Sequence, residues 1–177
     1  MTEYRLLTIW RIEAPLEKVY AAIHDSPRWP DWWPGVKKVE LVATGDADGI
    51  NSVLRYYLHG RLPYRMAFVV RATRIEPWVA IEGTVQGDLA GIGRWRFSHQ
   101  GAVSIVEYEW HVLGTRWWMN LIAPFARSMF IRNHGIVMQQ GAEGLARLLG
   151  ATLVSQENID LMAKPDIKDC STGNPHT

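Results

Sequence analysis

Residues 127–149 read RSMFIRNHGIVMQQGAEGLARLL, and how this stretch folds decides how the rest of the chain must fold. As a helix it would run roughly 35 Å at 1.5 Å per residue, long enough to cross a small domain. Phe130, Val137, Gly141, Leu145 and Leu148 recur at helical spacing and predict one apolar stripe. A stripe of that length needs a broad surface beneath it, and a sheet supplies one. At its middle stand Asn133 and His134 beside Met138, polar groups that a purely structural helix does not need on its buried side. The functional question sits at that interruption.

The sheet is legible upstream. Residues 103–113 alternate Val106, Tyr108, Trp110 and Val112 against Ile105, Glu107, Glu109 and His111, the period-two pattern of a strand with one buried face. Further strands are expected at 92–99, 77–87, 63–75, 51–59 and 36–43, broken by Gly, Pro and Asp clusters at the spacing of an antiparallel meander. Strands this long must curl around something. Tyr64, Met66, Phe68 and Val70 form one apolar row, and Trp95 and Phe97 oppose Arg94 and Arg96. The charged rows predict cross-strand pairs of Arg94 and Arg96 with Glu107 and Glu109 on the outer face. Arg55, Tyr57 and His59 share the phase opposite Leu54, Tyr56 and Leu58. That polar row belongs on the outside unless a bulge reverses it, in which case Arg55 and His59 would face inward and suit a carboxylate.

The first strand is YRLLTIWRIE at 4–13, stopped by Ala14-Pro15. Leu16, Val19, Tyr20 and Ile23 then predict a short amphipathic helix. SPRWPDWWPGV follows, three prolines and three tryptophans in eleven residues, which allows only a helical turn or tight loop. Trp29, Trp32 and Trp33 would then either plug one end of the core or form one lip of a pocket. Trp117, Trp118 and Pro124 lead into the long helix. Gly150 ends it, and the polar residues 151–177 are expected to be a flexible tail appended to a domain at 1–150.

Composition removes several function classes. Net charge is +1 and no basic run exceeds Lys37-Lys38, so nucleic acid is not an expected partner. No window approaches the length of a membrane span, the amino-terminal residues lack a signal-peptide core, and the one cysteine, Cys170, lies in the tail; a cytoplasmic chain without an integral membrane segment is expected. The six histidines are scattered and no paired-cysteine or HExxH spacing occurs, so no metal site is expected. Phosphate-loop, nucleophile-elbow and dinucleotide signatures are absent as well, and no cofactor is expected. What the composition does supply is aromatic surface, with nine Trp, six Tyr and four Phe. That is more than a dry core of this size requires, and it would equally wall a wide apolar cavity.

The order strand, two short helices, six antiparallel strands and a long C-terminal helix resembles the helix-grip fold of the START-like, or SRPBCC, superfamily, within its polyketide cyclase/dehydrase-like branch. WRIEAPLEKVY at 10–20, WPDWWPGVKKVE at 29–40, GDLAGIGRWRF at 87–97, VEYEWHV at 106–112 and RNHGIVMQQGAEGLARLLG at 132–150 carry the likeness. The resemblance implies an α+β fold, a curved seven-stranded antiparallel sheet wrapped around the last helix, with a cavity between them for an apolar small molecule. Its members include carriers, receptors and cyclases, so function stays open.

The expected pocket residues are Trp33, Tyr56, Tyr64, Met66, Phe68, Trp95, Tyr108, Trp110, Phe130, Asn133, His134, Val137 and Met138. His134 is the candidate acid/base of an enzyme, since an imidazole exchanges protons near neutral pH, with Asn133 or Tyr108 as donor to a developing oxyanion. The alternative for His134 is a structural histidine that holds helix to sheet. Three functions are thus expected to compete: a carrier of an apolar or aromatic small molecule such as a lipid or polyketide, a polyketide cyclase or aromatase, and a module docking protein or membrane through Trp29–Trp33. Oligomeric state has no signature in the sequence.

Overall fold

Alternation and helical periodicity give the expected order with one strand more. The computed structural model describes residues 2–59, 66–115 and 123–163. Strand β1 (Glu3–Glu13) leads through α1 (Leu16–His24), a 3-10 turn (Ser26–Arg28) and α2 (Trp29–Trp32) to β2 (Val36–Ala43). The meander continues as β3 (Val53–Leu58), β4 (Met66–Glu76), β5 (Ala80–Gly87), β6 (Leu89–Gln100) and β7 (Val103–Gly114). Helix α3 (Ala123–Leu149) and strand β8 (Thr152–Asp160) close the chain. Among the described residues no helix is long and apolar enough to cross a membrane.

All pairs are antiparallel, in the order β2-β3-β4-β5-β6-β7-β1-β8. Strand β1 therefore lies between β7 and β8, with Thr8 opposite Tyr108 on one side and Asn158 on the other. The sheet has eight strands where seven are expected, because residues 152–160 pair with β1 instead of trailing away. The sequence hides this strand because it is an edge. It is paired on one side only, and none of its residues is fully buried, so its apolar alternation is weak. Arg127 on α3 holds it down, reaching Asp160 at 2.6 Å and the carbonyl of Glu3 at 2.7 Å.

The core lies between the concave face of the sheet and α3, with Trp10, Ile12, Val19, Leu89, Val112 and Leu145 excluded from solvent. Leu148, expected on the stripe, is 52% exposed; the buried stripe runs instead through Phe130, Val137, Met138, Ala142 and Leu145. On the convex face Arg94 contacts Glu82 at 3.4 Å and Glu109 at 3.7 Å, and Arg96 reaches Glu109 at 4.0 Å. The cross-strand charge row is thus present with Glu109 and Glu82 as its acids in place of Glu107, and such solvated pairs contribute little.

Two glycines set how close α3 comes to α2. A Cβ on Gly141 would lie 2.5 Å from the Trp33 ring, and one on Gly144 only 2.0 Å from the Trp32 carbonyl oxygen. Only hydrogen fits at either position.

Candidate functional site

Between α3 and the sheet is a cavity of about 390 Å³, within the range that holds a small organic ligand. Its wall draws on every element that the period-two rows aim inward. Strand β3 gives Leu54, Tyr56 and Leu58, β4 gives Met66, Phe68 and Val70, and β6 and β7 give Trp95, Tyr108 and Trp110. Helix α3 contributes Phe130, Asn133, His134, Val137 and Met138. The phase of β3 is not reversed: its register with β4 is unbroken and Arg55 faces solvent. The exposed lining residues His24, Asp25, Pro27 and Leu41 mark its opening to solvent.

Twelve of the thirteen expected pocket residues line this cavity. Tyr64 lies outside the described residues, as do Trp117, Trp118 and Cys170. The three tryptophans of the proline-rich segment are 8%, 8% and 3% exposed, which removes the expected docking surface at Trp29–Trp33. They are buried because prolines bend that segment back over the sheet and their indoles find partners there. Trp29 Nε1 donates to the Ile23 carbonyl at 3.0 Å and Trp33 Nε1 to the Val137 carbonyl at 2.7 Å. Plug and lip prove to be compatible roles, since Trp29 and Trp33 also line the cavity.

The polar side chains of this wall include His134, Tyr56, Tyr108 and the Trp110 indole, whose buried Nε1 has no hydrogen-bond partner among the described residues. His134 packs against Trp110 with ring centroids 5.9 Å apart, and its Nε2 lies 3.3 Å from Thr8 Oγ1. Thr8 Oγ1 donates its one proton to Asn158 Oδ1 at 2.7 Å, so from His134 it can only accept. The hydrogen-bond network therefore assigns the proton to Nε2 and leaves Nδ1 with a lone pair. Burial pushes the His134 pKa down to about 4, so the ring is neutral at physiological pH. His134 and Tyr108 are half-buried and both line the cavity.

Tyr56 donates to or accepts from Ser26 Oγ at 2.8 Å, and burial pushes its pKa up to about 12. Tyr108, stacked on Trp95 at 3.9 Å, is raised well above the ordinary tyrosine value by burial and then by Tyr56. Its hydroxyl has no hydrogen-bond partner among the described residues. Both phenols are protonated at physiological pH. Among the described residues no lysine or arginine lines the cavity, and no group of three or more His, Cys, Asp or Glu is placed to hold a metal.

Sequence reasoning missed Ser26, Thr8 and Asn158. Thr8 stands in the inward row with Trp10, and a lone polar residue in such a row is the signal that a partner sits opposite. Asn158 carries no signal, because the polar residues around it read as tail.

A family model described as polyketide cyclase / dehydrase and lipid transport matches residues 9–150. No curated protein matches the chain. Among solved structures, one from Thermus thermophilus is similar at 17% identity and a TM-score of 0.65, covering 83% of this chain and 99% of the other. The Zhui aromatase/cyclase from Streptomyces sp. R1128 is similar at 14% identity and a TM-score of 0.61, covering 83% and 96%. A START superfamily protein from Mycobacterium smegmatis gives 14% identity and 0.63, covering 83% and 97%. At such identities these structures establish a shared helix-grip fold and nothing of its chemistry.

Proposed function

We propose, for a chain that belongs to the polyketide cyclase/dehydrase and lipid transport family, that it binds an apolar or aromatic small molecule in the cavity between the sheet and α3. The observation that carries the proposal is a preformed space of about 390 Å³ walled by aromatic and aliphatic side chains. Apolar surface removed from water there gives roughly 25 cal/mol per Å², and the aromatic rings supply flat walls for planar ligands. Native mass spectrometry of the purified protein is the test: a co-purifying apolar adduct, or saturable uptake of an added aromatic, is expected. Failure to bind any apolar compound would refute the reading.

A second reading makes the chain a polyketide cyclase or aromatase with His134 as acid and base. Its support is the family and the position of His134 beside Asn133 and Tyr108 on the cavity wall. Against it stands the imidazole's low pKa of about 4, far from the neutral value that suits proton exchange at physiological pH. On this reading His134→Ala abolishes turnover of a poly-β-ketone while the fold persists, and unchanged turnover excludes it.

A further inference from the structure

The polar atoms of the cavity restrict the ligand further, on the premise that the cavity binds one. His134 cannot donate into the cavity, because its one N–H is spent on Thr8. What it offers is the Nδ1 lone pair, an acceptor without a donor among the described residues. Tyr108, on the strand paired with β1 at Thr8, presents an unpartnered hydroxyl into the same space. A ligand atom at His134 must therefore bring its own proton, and an oxygen near Tyr108 can accept one. A carboxylate or phosphate would meet a lone pair at His134, and no lysine or arginine of the described wall would offset its desolvation.

We infer that the ligand is an uncharged, hydroxyl-bearing hydrophobe, a phenol or alicyclic alcohol, whose O–H donates to Nδ1 of His134 with an oxygen in reach of Tyr108. The Asn158–Thr8–His134 chain fixes the tautomer that makes this possible, so β8 acts on specificity without touching the ligand. His134 then selects by what it lacks, in the way that a buried acceptor rejects ligands with no donor to satisfy it.

Equilibrium dialysis at neutral pH with naphthalene, 2-naphthol and 2-naphthoate tests this. The wild-type protein is expected to bind 2-naphthol about two- to tenfold tighter than naphthalene, the ratio that one net hydrogen bond gives. It should bind 2-naphthoate about a hundredfold or more weaker than 2-naphthol. In His134→Leu the order of naphthol and naphthalene inverts. Naphthalene binding as tightly as naphthol in the wild type, or naphthoate matching naphthol, overturns the inference and leaves the apolar cavity standing. Binding of none of the three overturns the inference, and the cavity reading falls with it only where native mass spectrometry also finds no apolar adduct. A measurement on the unsubstituted protein guards against a variant that does not fold. The ¹⁵N shifts of the His134 ring should show a bare Nδ1 and a protonated Nε2, with Nδ1 moving on addition of 2-naphthol. The opposite tautomer, or an unmoved Nδ1, refutes the inference.

Discussion

Gly144→Ala and Gly135→Ala are the same substitution in the same helix, and they are expected to change stability in opposite directions. In a helix interior alanine is favoured over glycine by about 1 kcal/mol. At Gly135 the nearest atom to a new Cβ is Asn158 Nδ2 at 3.4 Å, ordinary contact, so the gain is kept. At Gly144 the Cβ falls 2.0 Å from the Trp32 carbonyl oxygen. That oxygen is backbone, so the segment carrying Trp32 and Trp33 or the helix itself must move by about 1 Å or more. Overpacking of this kind costs about 1 to 3 kcal/mol. The displacement also strains the Trp33 Nε1 bond to the Val137 carbonyl, 2.7 Å long, whose loss costs roughly 1 kcal/mol. Net of the helix gain, Gly144→Ala loses about 1 to 3 kcal/mol while Gly135→Ala gains about 0.5 to 1. The assay is urea denaturation with the m value held as a check that only stability changed. Both variants moving the same way by similar amounts would refute the assignment of Gly144 as the point of contact between α2 and α3.

Stability should also depend on pH through His134. Its folded pKa is about 4 against an ordinary 6.5, so the unfolded chain binds a proton that the folded chain refuses between those values. The contribution is fully present above pH 6.5 and is lost as pH falls towards 4, about 3 kcal/mol in all. Denaturation of His134→Gln across that window should show a shallower slope than the wild type, and identical slopes would exclude a buried neutral imidazole. Tyr56→Phe leaves the buried Ser26 hydroxyl unpaired and is expected to cost about 1 to 2 kcal/mol. Tyr108→Phe breaks no bond and should stay within about 0.5 kcal/mol, so thermal unfolding of the pair distinguishes a structural phenol from a ligand-facing one. A chain ended at Ala151 loses β8 and exposes β1 as a new edge; it should unfold at lower denaturant or aggregate, whereas a mere tail could be removed without loss.

The fold was legible where one residue pattern answers to one physical cause. Strand β2 at 36–43 and the end of α3 at Leu149 stand where alternation and the Gly150 stop put them, because a half-buried strand and a helix terminus each leave a local signature. The cavity wall was legible for the same reason: Met66, Phe68, Trp95 and Trp110 follow from period two. Strand β8 was not, since an edge with one partner has no need of strict alternation. Nor was the tautomer of His134, which depends on Asn158 through Thr8, a contact set only by the register of β8 on β1. The exposure of Leu148 is a matter of helical phase: Ala142, Leu145 and Leu149 keep to the buried side of α3 to its last residue, and Leu148 lies off that side.

The aromatic richness does two jobs at once, and this couples stability to binding. Trp10 is fully buried and touches no ligand space, yet it stands edge-on to Trp33 at 5.4 Å and tilted to Trp95 at 5.6 Å, both of which line the cavity. The indole nitrogens of Trp29 and Trp33 are tied to carbonyls of α1 and α3, so these walls are fixed before any ligand arrives and little ordering remains to oppose binding. Gly141 and Gly144 let α3 close down on Trp33 and Trp32 at its C-terminal half. At its N-terminal half Phe130, Asn133 and His134 line open space instead. The glycines thus set where the helix touches and, by the same geometry, where it stands away. The open volume between α3 and the sheet is therefore a consequence of helix placement, and its chemistry is decided by the polar atoms left facing it.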